Sequence, residues 1–158
     1  VAAIQTRRIY ARTVAELNSL TDRELSDQLH GIGIDLGVAF QLRDDLLGVF
    51  GDPAVTGKPA GDDLREGKRT VLVAHALELA SDTAKERLAG LLGNAELDAT
   101  DVATAREIIV TSGALAATEQ RIADDLNLAL AALDDAPLRD EAVTALRRLA
   151  ELSTSRSA

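Results

Sequence analysis

Two adjacent carboxylates, Asp44 and Asp45, and two lysines, Lys58 and Lys68, lie close together in the sequence. From Gly33 to Phe50 there is no proline, and apolar residues recur at Ile34, Val38, Phe40, Leu42, Leu46, Leu47 and Val49. That spacing predicts a helix buried on most sides. Residues three and four apart share a helical face, so Gly37, Phe40, Gln41, Asp44 and Gly48 form one stripe with Asp45 at its edge. A carboxylate pair in a mostly apolar setting is costly unless a cation or a hydrogen bond compensates it. After Phe50 the pattern breaks into an irregular Gly/Pro-rich loop, Gly51 to Gly67, which carries Lys58 and is followed by Lys68 and Arg69. Only three of the 17 basic residues are lysines, so placing two of them here is selective. Carboxylates on a helix wall beside a lysine-bearing flap suit a diphosphate bridged through Mg²⁺, an ion that favours a few carboxylates plus phosphate oxygens and water.

The elements expected to position these groups are helical throughout. A first helix is predicted from Ala2 to Leu20, with Arg7, Arg8 and Arg12 on a solvated face. Thr21 and Glu24 form a capping box, so a long helix should begin near Asp22 and run to Phe50, with His30 a structural or surface histidine. Thr70 to Ala80 reads as a helix apolar nearly all round and packed in the core, carrying His75. Ser81 should cap a helix that ends by Gly93, and Thr100 another that ends at Gly113. A third spans Ala114 to Asp135, with Leu115, Ile122, Leu126, Leu130 and Leu133 on one face and Asp124–Asp125 as a solvated pair. Pro137 stops it. The last helix, Leu138 to Leu152, presents Val143, Leu146 and Leu149 opposite Arg147 and Arg148.

Composition narrows the possibilities. A chain of 158 residues is one domain's length, here 1–158, and 46% apolar content dominated by Ala, Leu, Val and Ile indicates an all-α protein. A net charge of −9 with no basic patch argues against nucleic acid and against anionic membranes as partners. No apolar run reaches the length of a membrane span, and without cysteine there are neither disulfides nor thiolate metal sites. A cytoplasmic location is the expectation. Val1 is not a natural translation start, so a longer or processed polypeptide is expected.

FQLRDD followed by TGKPAGDDLREGKRT resembles the second aspartate-rich region of the trans-isoprenyl diphosphate synthases, or polyprenyl synthetases. Their pattern is F-Q-x-x-D-D-x-x-D, then G-K-x-x-G-x-D-L-x-x-G-K-x-T. Phe40, Gln41, Asp44, Asp45, Gly57, Lys58, Gly61, Asp63, Leu64, Gly67, Lys68 and Thr70 match it, and Gly48 replaces the third aspartate. The resemblance implies part of an antiparallel helical bundle of the isoprenoid synthase type. It also implies a Mg²⁺-dependent prenyltransferase that condenses an allylic diphosphate with isopentenyl diphosphate, as a homodimer or paired with another synthase chain. On that pattern Asp44 and Asp45 hold metal, and Phe40, Gln41, Lys58 and Lys68 bind substrate. Asp44, Lys58 and Lys68 carry the catalytic roles.

The first aspartate-rich motif and the basic isopentenyl diphosphate site do not occur in this sequence, which reads as the carboxy-terminal half of a synthase and is expected to be inactive alone. Two other readings stand beside the enzyme. One is a non-catalytic subunit or degenerate paralogue that modulates a complete synthase. The other is a helical structural domain that keeps the loop only by descent.

Overall fold

A helix of 29 residues, α1 (Asp22–Phe50), is the spine on which the other elements pack. The computed structural model describes residues 22–57 and 59–155, and every regular element among them is helical. After α1 come two single-turn helices, α2 (Pro53–Thr56) and α3 (Asp62–Arg65), inside the stretch expected to be an irregular loop. Then follow α4 (Val71–Leu79), α5 (Asp82–Leu91), α6 (Ala99–Thr111), α7 (Ala114–Asp134) and α8 (Asp140–Thr154). The expected helix from Ala2 to Leu20, the Thr21 cap and Lys58 lie outside the described residues.

Helix α7 runs antiparallel to α1 and makes its most extensive contact. The larger core joins Ala39, Leu42, Leu46 and Val49 of α1 to Leu64, Leu72, Leu88, Ile109 and Ile122. A smaller one joins Ile32 to Ala129, Leu133 and Ala136, with Val143 of α8 against it. The inward face of α7 repeats at helical spacing: Ala114, Thr118, Ile122, Asp125, Ala129 and Leu133 are buried. Small residues on that face let the long axes approach closely.

Several expectations need correction. Helix α1 is buried on one side, not most: Ile34, Gly37, Val38, Phe40, Gln41 and Asp44 are exposed, because no described element lies over that stripe. Helix α4 is likewise only partly enclosed, with Val71 and Leu79 exposed at its ends. The cap of α6 is Asp98, not Thr100. Its carboxylate accepts from Thr100 N and Asp101 N, and Asp101 returns a bond to Asp98 N. Asp125 is not solvated but buried, its two oxygens held by Arg121 Nε at 2.9 and 2.8 Å one turn back. On α8 the buried positions are Ala150 and Thr154, while Leu146 and Leu149 face outward; Arg147 pairs with Asp134 across to α7.

Candidate active site

The end of α1 and the start of α4 are joined by the segment that carries the charged groups, and three contacts fix it. Arg106 Nε of α6 donates to Val49 O at 2.7 Å, and its guanidinium lies 5.8 Å from the Phe50 ring centroid. A cation at the last carbonyls of a helix also complements the helix dipole. Arg65 donates to Ala60 O at 2.5 Å and reaches Leu97 O through both Nε and NH2, tying α3 to the α5–α6 connection. Gly93 N donates to Leu64 O at 2.9 Å. There Gly67, at φ +67°, comes so close that a Cβ on it would lie 2.9 Å from the Gly93 Cα. Only glycine accommodates both that conformation and that approach. Thr70 caps α4 by accepting from Val73 N at 3.3 Å.

The sequence-predicted groups fall into two sets within this frame. Phe40, Gln41 and Asp44 stand on the open stripe of α1, and among the described residues no side chain pairs with Asp44. Asp45 is turned inward, 8% exposed, and accepts from Gln41 Nε2 at 2.9 Å. Lys68 is half-exposed. Its Nζ lies 2.5 Å from Asp63 Oδ1 and 2.9 Å from Glu66 Oε2, and its backbone N donates to Asp63 O at 3.0 Å. The spacing predicts a carboxylate pair in a mostly apolar setting; of the two only Asp45 is buried, and Asp44 is exposed. The helical phase explains the exchange: Asp45 lies toward the α3 side, whereas Asp44 sits over the uncovered stripe.

The electrostatics follow from burial and proximity. Desolvation pushes the Asp45 carboxyl above its ordinary value; the bond from Gln41 opposes this, the negative charges of Asp63 and Asp44 add to it, and Lys68 lowers it. Hydrogen bonds to Asp63 and Glu66 make Lys68 hold its proton more tightly than a free lysine does.

Asp62, Asp63 and Glu66 also bring ligand atoms within 4.8 Å of one another, but the Lys68 ammonium already bridges Asp63 and Glu66. The carboxylates of the sequence-predicted set that no described ammonium bridges are Asp44 and Asp45, on the α1 side. There an open carboxylate, Asp44, adjoins a buried one, Asp45, whose ionisation is disfavoured chiefly by burial and further by the negative charges of Asp63 and Asp44. A divalent ion would relieve that repulsion, so the donor set fits Mg²⁺. Sequence reasoning assigns no role to Asp63, Arg65 or Arg106. Asp63 was visible as a motif match, while the two arginines are recognisable only from long-range contacts.

A family model described as polyprenyl synthetase matches residues 5–109. The chain is 44% identical over 98 residues to a geranylfarnesyl diphosphate synthase from Aeropyrum pernix, covering 62% of this chain and 30% of the relative. It is 42% identical over 122 residues to a geranylgeranyl diphosphate synthase from Mycobacterium tuberculosis, covering 77% and 34%. Among solved structures it resembles geranylgeranyl pyrophosphate synthase from Corynebacterium glutamicum complexed with isoprenyl diphosphate and magnesium. That match has a TM-score of 0.79 at 51% identity, over 83% of this chain and 37% of the other. The chain thus spans about a third of the length of these relatives.

Proposed function

Since this chain belongs to the polyprenyl synthetase family, we propose that it forms the second aspartate-rich wall of a prenyltransferase site. The reaction would join an allylic diphosphate to isopentenyl diphosphate. One observation carries the reading. Asp44, Asp45 and Asp63 crowd about the last turns of α1, and Lys68 is the cation set among them.

Asp44 and Asp45 would hold magnesium, which when bound supplies the positive charge that eases departure of pyrophosphate from the allylic carbon. Gln41 keeps the Asp45 carboxylate in one orientation through its hydrogen bond. Lys68, fixed by two carboxylates yet half-exposed, presents an ammonium to phosphate oxygens. Lys58 is assigned the same task from its place in the motif. Ile34, Val38 and Phe40 on the open side of α1 offer an apolar wall for a hydrocarbon chain and exclude water from it.

The test is Asp44→Ala in the complete polypeptide that carries this sequence, assayed for prenyl transfer. Turnover should fall on the order of a hundredfold or more, the scale of losing one electrostatic contributor. Turnover near wild type would remove Asp44 from the metal site.

A further inference from the structure

Lys68 and Arg69 are neighbours in sequence but serve different sides of one turn. Lys68 is turned to Asp63 and Glu66. Arg69 occupies the position that the G-K-x-T pattern leaves open, and it lines a cleft of about 640 Å³ between the start of α4 and the end of α5. The walls are apolar, with Val73 and Leu77 from α4 and Leu92 at the close of α5. The exposed charged groups of the lining are Glu66 and Arg69. Both sides are tied in place, because Gly93 N donates to Leu64 O at 2.9 Å and Gly67 lies against Gly93. A preformed concave site of this size and lining suits a small, largely apolar ligand.

Charge decides which ligand. Glu66 is taken by Lys68 at 2.9 Å, whereas among the described residues no side chain pairs with Arg69. The cleft therefore presents one uncompensated guanidinium, a planar fork that matches phosphate or carboxylate oxygens. Arg69 also stands just before the N-cap of α4, where the helix dipole adds positive potential. A second cleft of about 520 Å³, against Val38, Leu42 and His75, lacks a free cation: its Arg121 is neutralised by Asp125.

We propose that the α4–α5 cleft binds a free amphipathic anion, an aliphatic or prenyl chain ending in one anionic group. The head sits on Arg69 and the chain lies against Val73, Leu77 and Leu92. A lipid surface is the poorer source of such a group, since anionic membranes repel a chain of net charge −9. Unlike the carboxylate face of α1, this site needs no metal. An anion on Arg69 places negative charge beside the ammonium assigned to diphosphate, so the two ligands oppose each other reciprocally. That coupling rests on the diphosphate reading of Lys68; binding in the cleft does not.

The experiment is calorimetry of submicellar octyl phosphate on the complete polypeptide, first in excess chelator. Octyl phosphate should bind there at one site. Octanol, which lacks the head, and inorganic phosphate, which lacks the chain, should each bind at least about tenfold more weakly. Arg69→Gln should weaken octyl phosphate by about tenfold, the scale of a lost charge-assisted contact. Ala74→Phe, at an exposed position of α4 that lines the cleft, should fill it and abolish binding while the unfolding midpoint stays near wild type. In Mg²⁺, saturating octyl phosphate should weaken pyrophosphate by about fivefold or more, and that effect should vanish in Ala74→Phe.

No binding in chelator, or equal binding by wild type and Arg69→Gln, would overturn the site. Equal affinity for octyl phosphate and octanol would overturn the anionic class of the ligand. Capture on phosphatidylglycerol vesicles that Arg69→Gln abolishes, with no uptake of octyl phosphate, would make a membrane the partner and overturn the free ligand. A pyrophosphate effect that persists in Ala74→Phe would put the competition on the α1 face and overturn the coupling. Failure of wild type to bind pyrophosphate in Mg²⁺ would instead strike at the diphosphate reading, leaving the chelator titrations to be judged by themselves.

Discussion

At the residue scale, Asp45 shows a site group held at a cost to stability. Its carboxyl is raised above the ordinary value chiefly by burial, so the folded state binds its proton more tightly than the unfolded chain does. Ionisation therefore subtracts stability once the pH exceeds the unfolded pKa, and acidification through the carboxylate range restores it. Asp45→Asn removes the penalty and retains an oxygen to accept from Gln41 Nε2. At neutral pH the variant should be more stable by about 1 kcal/mol, with turnover of the complete polypeptide reduced at least roughly tenfold. Denaturant titration against pH checks the sign: the gap between variant and wild type should close as pH falls to about 4. A variant less stable at neutral pH would show that ionised Asp45 is compensated more fully than its surroundings imply.

At the scale of elements, the segment between α1 and α4 is placed by groups distant in sequence. Arg106, on α6, holds the final turn of α1 through Val49 O and Phe50. Replacing it with Ala deletes a charge-assisted bond to a helix C-terminus and should cost on the order of 2 kcal/mol. Thermal unfolding measures that loss, and limited proteolysis should cut first between Phe50 and Pro59. Unchanged stability and cleavage would mean the contact is incidental. Gly67→Ala tests the other anchor, because it meets the Gly93 backbone and requires positive φ, so a loss on the order of 2–3 kcal/mol is expected in the same melts. These contacts explain which parts of the site could be read in advance. Helix α1 was legible end to end because its apolar spacing is continuous and Pro53 follows at once. The motif glycines are legible as types, but Gly67 owes its identity to Gly93, which lies beyond two intervening helices, α4 and α5. Asp98 displaced Thr100 as a cap because Asp101 can return its bond, a reciprocity that the first hydroxyl in the sequence concealed.

At the scale of the molecule, the distribution of charge and of covered surface decides what the open face can accept. All-helical architecture followed from composition and periodicity. The burial of each face did not, because periodicity shows that a stripe is apolar without showing what lies over it. Ile34, Val38 and Phe40 belong to the spacing that predicts a helix buried on most sides, and they are exposed. Asp125 was read as solvated, yet it is buried because Arg121 one turn away satisfies both its oxygens. The same accounting bears on the ligand. The chain carries a net charge of −9, and its candidate site places Asp44, Asp45 and Asp63 around one described ammonium. A bare pyrophosphate approaching that face meets repulsion both locally and from the whole chain, and the lysines cannot offset it. Pyrophosphate should therefore bind only together with a divalent cation. Calorimetry on the complete polypeptide should show no heat of pyrophosphate binding in excess chelator and a clear isotherm in millimolar Mg²⁺. In Mg²⁺ the affinity should decline only modestly as monovalent salt rises, since direct contacts through an ion bound by carboxylates are screened less than separated surface charges. Comparable heat with and without chelator would mean that the anion is held by cations other than magnesium, and the carboxylates of α1 would lose their assigned task.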